Sequence, residues 1–136
     1  MQILALETST ETGSVAWLQE GVVVAETIFR RKNAHAQVLG QAIEHVAALA
    51  GKTVQDAQAV ALSAGPGSYT GLRVGASMAK GLCASLNIPL YPIDTLHALA
   101  WGASGVARLF GQVRLAPVLD ARRMEVYRAV YEPDGS

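Results

Sequence analysis

Residues 63–75, SAGPGSYTGLRVG, lie between an apolar run, AVALSA, and a segment whose apolar residues recur at helical spacing. Glycine stands at 65, 67, 71 and 75, beside Pro66. Glycine in a loop marks a backbone that turns through positive φ or comes very close to something else. A strand, a glycine loop and a helix in that order demand a layered α/β fold, because the helix must cross back over the sheet. Two uses of the loop stay open. Backbone amides at the start of the helix can hold an anion. Alternatively, Gly71, Gly75, Ala76, Ala79 and Gly81 can let the helix pack closely on the sheet or on a neighbouring helix. No lysine follows the last glycine as a nucleotide P-loop requires, since Lys80 is far down the helix. The spacing Gly65, Gly67, Gly71 also misses the dinucleotide fingerprint by one residue.

The rest of the chain can be ordered around this loop. QILALE at 2–7 reads as a buried central strand ending in an acid. SVAWLQ and VVVAETIFR read as two further strands joined by a tight turn at Glu20-Gly21, completing an antiparallel meander. From Ala34 to Ala50 the period changes. Val38, Leu39, Ala42, Ile43, Val46, Leu49 and Ala50 recur at three and four, with Gly51 as a stop. TVQD at 53–56 has the form of a capping box, and AVALSA follows as a strand. A helix is expected from about Thr70 to Leu86, then a strand LYPI, then a helix from Asp94 or Thr95. The predicted order is βββαβαβα, an α/β fold with a mixed sheet flanked by helices.

Residues 113–136 repeat the opening in outline: apolar strand, acid, polar turn, second strand. The expectation is a first domain at 1–112 and the first strands of a second, truncated domain of the same kind at 113–136. The alternative is that these strands extend the first sheet. Hydrophobic residues make up 51% of the chain and charged ones 16%, so much of the surface expects cover from its own core or a partner. Eleven basic residues balance eleven acidic ones, which gives no electrostatic footprint for gripping nucleic acid alone. One cysteine, Cys83, expected on a buried helical face, cannot form an internal disulfide. With no signal-peptide pattern and no apolar run near the roughly 18 residues of a membrane span, a cytoplasmic protein without a membrane contact is expected.

No catalytic constellation stands out. His35, His45 and His97 lack metal-ligand spacing, since four beyond His35 is Leu39; surface or cap roles are expected. Glu7, Glu11 and Asp120 are acids near strand ends that could hold Mg²⁺ beside a nucleotide, against the plainer reading of surface charges. Ser9, Ser14 and Ser68 have no neighbouring His or Asp in the sequence to make them nucleophiles.

Taken together, ILALETSTETGSVAWL, GPGSYTGLRVG and LDARRMEVY resemble the opening strand pair, signature loop and later Asp-Ala-Arg segment of the TsaB (YeaZ) family. That family serves bacterial tRNA threonylcarbamoyladenosine formation. The resemblance implies an RNase H-like fold of the actin-like ATPase superfamily, normally two related domains. It also implies partners: the related transferase TsaD, which passes a threonylcarbamoyl group to the adenosine beside the tRNA anticodon, and the ATPase TsaE. TsaD carries a His-x-x-x-His metal pair on its first long helix. This chain has His35 but Leu39, so it reads as a non-catalytic scaffold with no metal, no catalytic residue and no peptidase activity.

In this family the first two helices pack on a partner. The resemblance thus makes Leu39, Ile43 and Val46 of one helix, with Gly71, Gly75 and Ala79 of the other, interface candidates, rimmed by Arg73 and Lys80. Homodimers could use the same face, and tRNA would be met only through the complex. Glu7, Gly65, Gly67 and Ser68 are the candidate nucleotide-proximal residues, with no resident cofactor expected beyond ATP or ADP at a partner interface. Two departures, Glu7 where actin-like ATPases place an aspartate and Met124 where a small residue is expected, weaken a case for hydrolysis. The alternative function is an actin-like small-molecule kinase or ATPase that uses the glycine loop and Mg²⁺.

Overall fold

The computed structural model describes residues 1–30, 35–111 and 113–136, the side chains of 35–37 excepted. Strands β1 (Gln2–Glu7), β2 (Thr12–Gln19) and β3 (Val22–Arg30) are followed by helix α1 (His35–Leu49) and a single 3-10 turn, Val54–Asp56. Then come β4 (Ala59–Ser63), α2 (Tyr69–Leu86), β5 (Leu90–Ile93) and α3 (Thr95–Ala107). This is the predicted βββαβαβα order. The predicted start of α1 at Ala34 lies outside the described residues.

The five strands form one mixed sheet in the order β3-β2-β1-β4-β5. β1 runs antiparallel to β2 and parallel to β4, as the hairpin on one side and the helical crossover on the other require. Glu20 and Gly21 both take positive φ, which lets a two-residue turn follow the twist of β2 and β3. Alternation then sorts the side chains. Leu4 and Leu6 of β1, Val15 and Trp17 of β2, and Val60 and Leu62 of β4 are buried in one cluster. The Trp17 indole N–H donates to Gln2 Oε1 at 2.7 Å, so the largest core side chain buries its ring and keeps its donor paired.

Helix α1 closes this face with Leu39, Ala42, Ile43, Val46 and Ala47, a stripe at three- and four-residue spacing. Each fully buried Leu, Val or Ile stabilises the fold by about 1.5–3 kcal/mol relative to exposure. Gly51, at φ +67, ends the helix as expected. In the TVQD box, Asp56 Oδ2 accepts from the Thr53 N–H at 2.7 Å and from Thr53 Oγ1 at 2.9 Å. Those two bonds, the backbone one first, hold the Asp56 carboxyl below its ordinary pKa.

Beyond α3, a 3-10 turn, Arg108–Phe110, leads to strands β6 (Val118–Arg122) and β7 (Glu125–Arg128). These pair with each other as a separate two-stranded sheet and do not extend the first. The turn between them holds Arg122, Arg123 and Met124 at φ +67, +54 and +65, which favours glycine and gives a physical reason to expect a small residue at 124. Met124 projects fully into solvent.

Candidate functional site

The glycine loop meets the end of β1. After Glu7 the chain turns through Thr8 and Ser9, both buried, and this turn lies directly against the backbone of α2. A Cβ on Gly71 would come within 2.0 Å of the Thr8 carbonyl oxygen, one on Gly75 within 2.3 Å of Thr8 Oγ1, and one on Gly67 within 2.5 Å of the Ser9 carbonyl oxygen. Three glycines of the loop and helix are therefore required by a neighbouring strand end. Gly81, by contrast, faces open space.

Hydrogen bonds fix the same contact. Thr8 Oγ1 donates to the Gly71 carbonyl at 2.8 Å, and the Ser68 N–H donates to the Ser9 carbonyl at 2.6 Å. Ser68 Oγ caps α2 by accepting from the Gly71 N–H at 3.4 Å. Glu7 is held by two groups: it accepts from the Ser9 N–H and from the Ser63 hydroxyl, which joins the ends of β1 and β4. Gly65, at φ +116, exchanges two bonds with Thr95: the Thr95 N–H donates to the Gly65 carbonyl at 2.8 Å, and the Gly65 N–H donates to Thr95 Oγ1 at 3.2 Å. The loop is tied to β1 on one side and to α3 on the other.

The nucleotide-proximal candidates Glu7, Gly65, Gly67 and Ser68 do gather in one place. The polar groups named above are engaged by this chain itself. Beside them a cleft of about 570 Å³ opens between Ser9–Glu11, Gly67–Thr70 and the β6-β7 hairpin, with Asp120, Arg122 and Tyr127 on its far wall. Ser9 Oγ is buried there without a hydrogen-bond partner. Glu11 and Asp120 line the cleft, while Asp120 Oδ1 accepts from the Arg122 N–H at 2.7 Å. Among the described residues, no three His, Cys, Asp or Glu side chains come together as metal ligands.

The interface candidates need correction. Leu39, Ile43 and Val46 are core residues, and Gly71, Gly75 and Ala79 are the buried stripe of α2 that faces β1 and β4. Their periodicity is that of the helix face turned to the chain's own sheet, so they offer no side chain to a partner. Arg73 and Lys80 are exposed, on the opposite stripe of α2. Arg73 lies over the Tyr69 ring at 5.4 Å and donates from a terminal guanidinium nitrogen to the Tyr69 hydroxyl at 3.3 Å. Tyr69 is 73% exposed and was missed from sequence, where its place inside the glycine loop hid its position on the first turn of α2. A groove of about 480 Å³ lies between α1, α2 and the Val54–Asp56 turn, lined by Ala47, Val54, Met78 and Leu82 with Glu44 and Lys52.

The remaining candidates scatter. His45 is exposed on α1, the His35 side chain lies outside the described residues, and His97 stacks on Tyr131 with ring centroids 5.4 Å apart. Cys83 is only half-buried; its thiol donates to the Pro89 carbonyl at 3.6 Å, and desolvation pushes its pKa up.

A family model described as "TsaD: tRNA N6-adenosine threonylcarbamoyltransferase" matches residues 20–136. The chain is 38% identical over 132 residues to the tRNA threonylcarbamoyladenosine biosynthesis protein TsaB of Bacillus subtilis, covering 97% of this chain and 56% of that protein. Against the protein of the same name in Escherichia coli it is 36% identical over 134 residues, covering 98% and 56%. The solved structure of YeaZ from Pseudomonas aeruginosa superimposes with a TM-score of 0.85 at 35% identity, over 96% of this chain and 60% of that one. The chain thus spans a little over half the length of the relatives it matches. With these matches running through the sheet, the glycine loop and the β6-β7 hairpin alike, the chain belongs to the TsaD-related family, in its TsaB (YeaZ) group.

Proposed function

We propose that this chain acts in tRNA threonylcarbamoyladenosine biosynthesis as a non-catalytic subunit, binding a TsaD-like transferase through the outward faces of α1 and α2. The observation that carries the reading is the seating of the Thr8–Ser9 turn on Gly67, Gly71 and Gly75. It commits the glycine loop to holding α2 on the sheet, and so sets the outer stripe of that helix, Tyr69, Arg73 and Lys80, at a fixed height over the core. A rigid helix pair with an aromatic and arginine at one end and an apolar groove beside it is suited to a partner helix face. The names of the relatives support the pathway, and the outward residues of α1 and α2 support the part proposed in it.

On this reading a TsaE-like ATPase joins the complex, tRNA is met only through it, and any ATP or ADP is held where partners meet. Alone, the chain covers the same face by pairing with a second copy. Residues 113–136 are the opening strands of a second RNase H-like unit, and the setting is the cytoplasm. Among the described residues no helix is long and apolar enough to cross a membrane.

The cleft beside Ser9 favours one competing reading, an actin-like kinase or ATPase with phosphates near Ser68 and a cation near Glu11 and Asp120. One experiment separates them: light-scattering mass with a TsaD-like transferase, alongside nucleotide turnover by the chain alone. A 1:1 complex without turnover supports the scaffold. Turnover with no complex overturns it.

A further inference from the structure

The β6-β7 hairpin belongs to its own small sheet, so something other than strand pairing must hold it over the glycine loop. The attachment is a strap. After β7 the chain returns along α3, and Tyr131 exchanges two backbone hydrogen bonds with Leu115, at 2.9 and 2.8 Å, closing the hairpin's base. The Tyr131 ring then stacks on His97, centroids 5.4 Å apart and planes 11° from parallel. Its hydroxyl donates to Asp94 Oδ1 at 3.4 Å, the same oxygen that caps α3 by accepting from the His97 N–H at 2.8 Å. Further on, Gly135 is buried with φ +87, and a Cβ there would stand 3.1 Å from Trp101 Cε3 and 3.3 Å from Trp101 Cα.

Asp94, His97 and Trp101 are spaced at i, i+3 and i+7, one stripe of a helix. The strap touches that stripe at each of its three levels, while the cleft wall formed by Leu119–Arg122 and Tyr127 lies at the hairpin's other end. We propose that the Asp94–His97–Trp101 stripe and the Tyr131–Gly135 strap form a clasp that sets how far the β6-β7 hairpin stands from the glycine loop, so that opening it widens the cleft without unfolding the sheet. The Tyr131 contacts involve exposed groups and one long hydrogen bond, which places them at the low-stability end of the fold, where local opening occurs. Asp94, His97, Trp101, Tyr131 and Gly135 lie outside the buried cluster under α1 and α2.

The test uses the chain with Cys83→Ser, Thr70→Cys and Met124→Cys, spin-labelled at 70 and 124, one on each side of the cleft. Pulsed electron-resonance distances are compared with Tyr131→Ala and with His97→Ala, the latter an exposed helix position where alanine favours the helix. Amide exchange in β1, β2 and β4 checks that the main sheet is intact. The expected result is a broader, longer distance distribution in either variant, with at least tenfold faster amide exchange across residues 118–128 and unchanged exchange in the main sheet. Distances and exchange unchanged in both variants would overturn the clasp, and so would loosening of hairpin and main sheet together by the same factor.

Discussion

Thr8 and Gly71 are locked face to face: the threonine hydroxyl donates to the Gly71 carbonyl at 2.8 Å, and the Thr8 carbonyl occupies the space a Gly71 side chain would need. Any Cβ at 71 must push α2 off β1 or displace the turn. Gly71→Ala is therefore expected to destabilise the fold by about 3 kcal/mol, at the upper end of overpacking costs. Gly81→Ala on the same helix, with nothing within 4 Å, is expected to stabilise it by about 0.5–1 kcal/mol. Urea unfolding of the pair checks both signs.

The same relationship makes Thr8→Val informative. The methyl group replaces the hydroxyl at nearly constant volume, so packing against Gly75 is kept while the Gly71 carbonyl loses its donor. A loss of roughly 1–3 kcal/mol is expected, read from the urea midpoint at unchanged slope.

Much of this architecture was legible in the sequence because local rules and tertiary packing agree. The strand VVVAETIFR, the Glu20-Gly21 turn and the 53–56 capping box each have a local cause, and each is observed. The glycine loop was half legible. Its density signalled close approach, and only the fold identifies the approaching group as Thr8 and Ser9, some 60 residues earlier in the chain. Leu39, Ile43 and Val46 show the opposite failure: a helical stripe says that a face is covered without saying by what, and here the cover is the chain's own sheet. Tyr131 on His97 had no sequence signal, since the two lie 34 residues apart in segments that share no pattern.

Two titrations have a defined sign. The Asp56 carboxyl is held low chiefly by the Thr53 N–H, then by the Thr53 hydroxyl, so its stabilisation is complete above the unfolded aspartate pKa and lost as pH falls through the folded one. The box is thus expected to weaken below about pH 4. The protection of the Thr53 amide against exchange, relative to its intrinsic rate, should fall there, and should already be low at neutral pH in Asp56→Ala.

Tyr131 runs the other way. Desolvation, then the Asp94 charge and hydrogen bond, raise its pKa, so its contribution is present below the unfolded tyrosine value and is lost as pH rises through the folded one. Above about pH 10 the phenolate loses its donor and repels Asp94. Ultraviolet titration should place Tyr131 above the ordinary tyrosine value, and Asp94→Asn should lower it part of the way, leaving the part due to desolvation.

Arg73 and Lys80 are exposed on the side of α2 turned away from the Thr8–Gly71 lock, so Arg73→Glu with Lys80→Glu is expected to leave stability within about 0.5 kcal/mol of the parent. The measurement that reaches furthest is the light-scattering mass of the parent and of this double variant, each mixed with a TsaD-like transferase. The expected result is a 1:1 complex with the parent and at least a tenfold weaker one with the variant, both chains being equally folded. Equal complexes with parent and variant, or none with either, would contradict the placing of the interface on the outer face of α2.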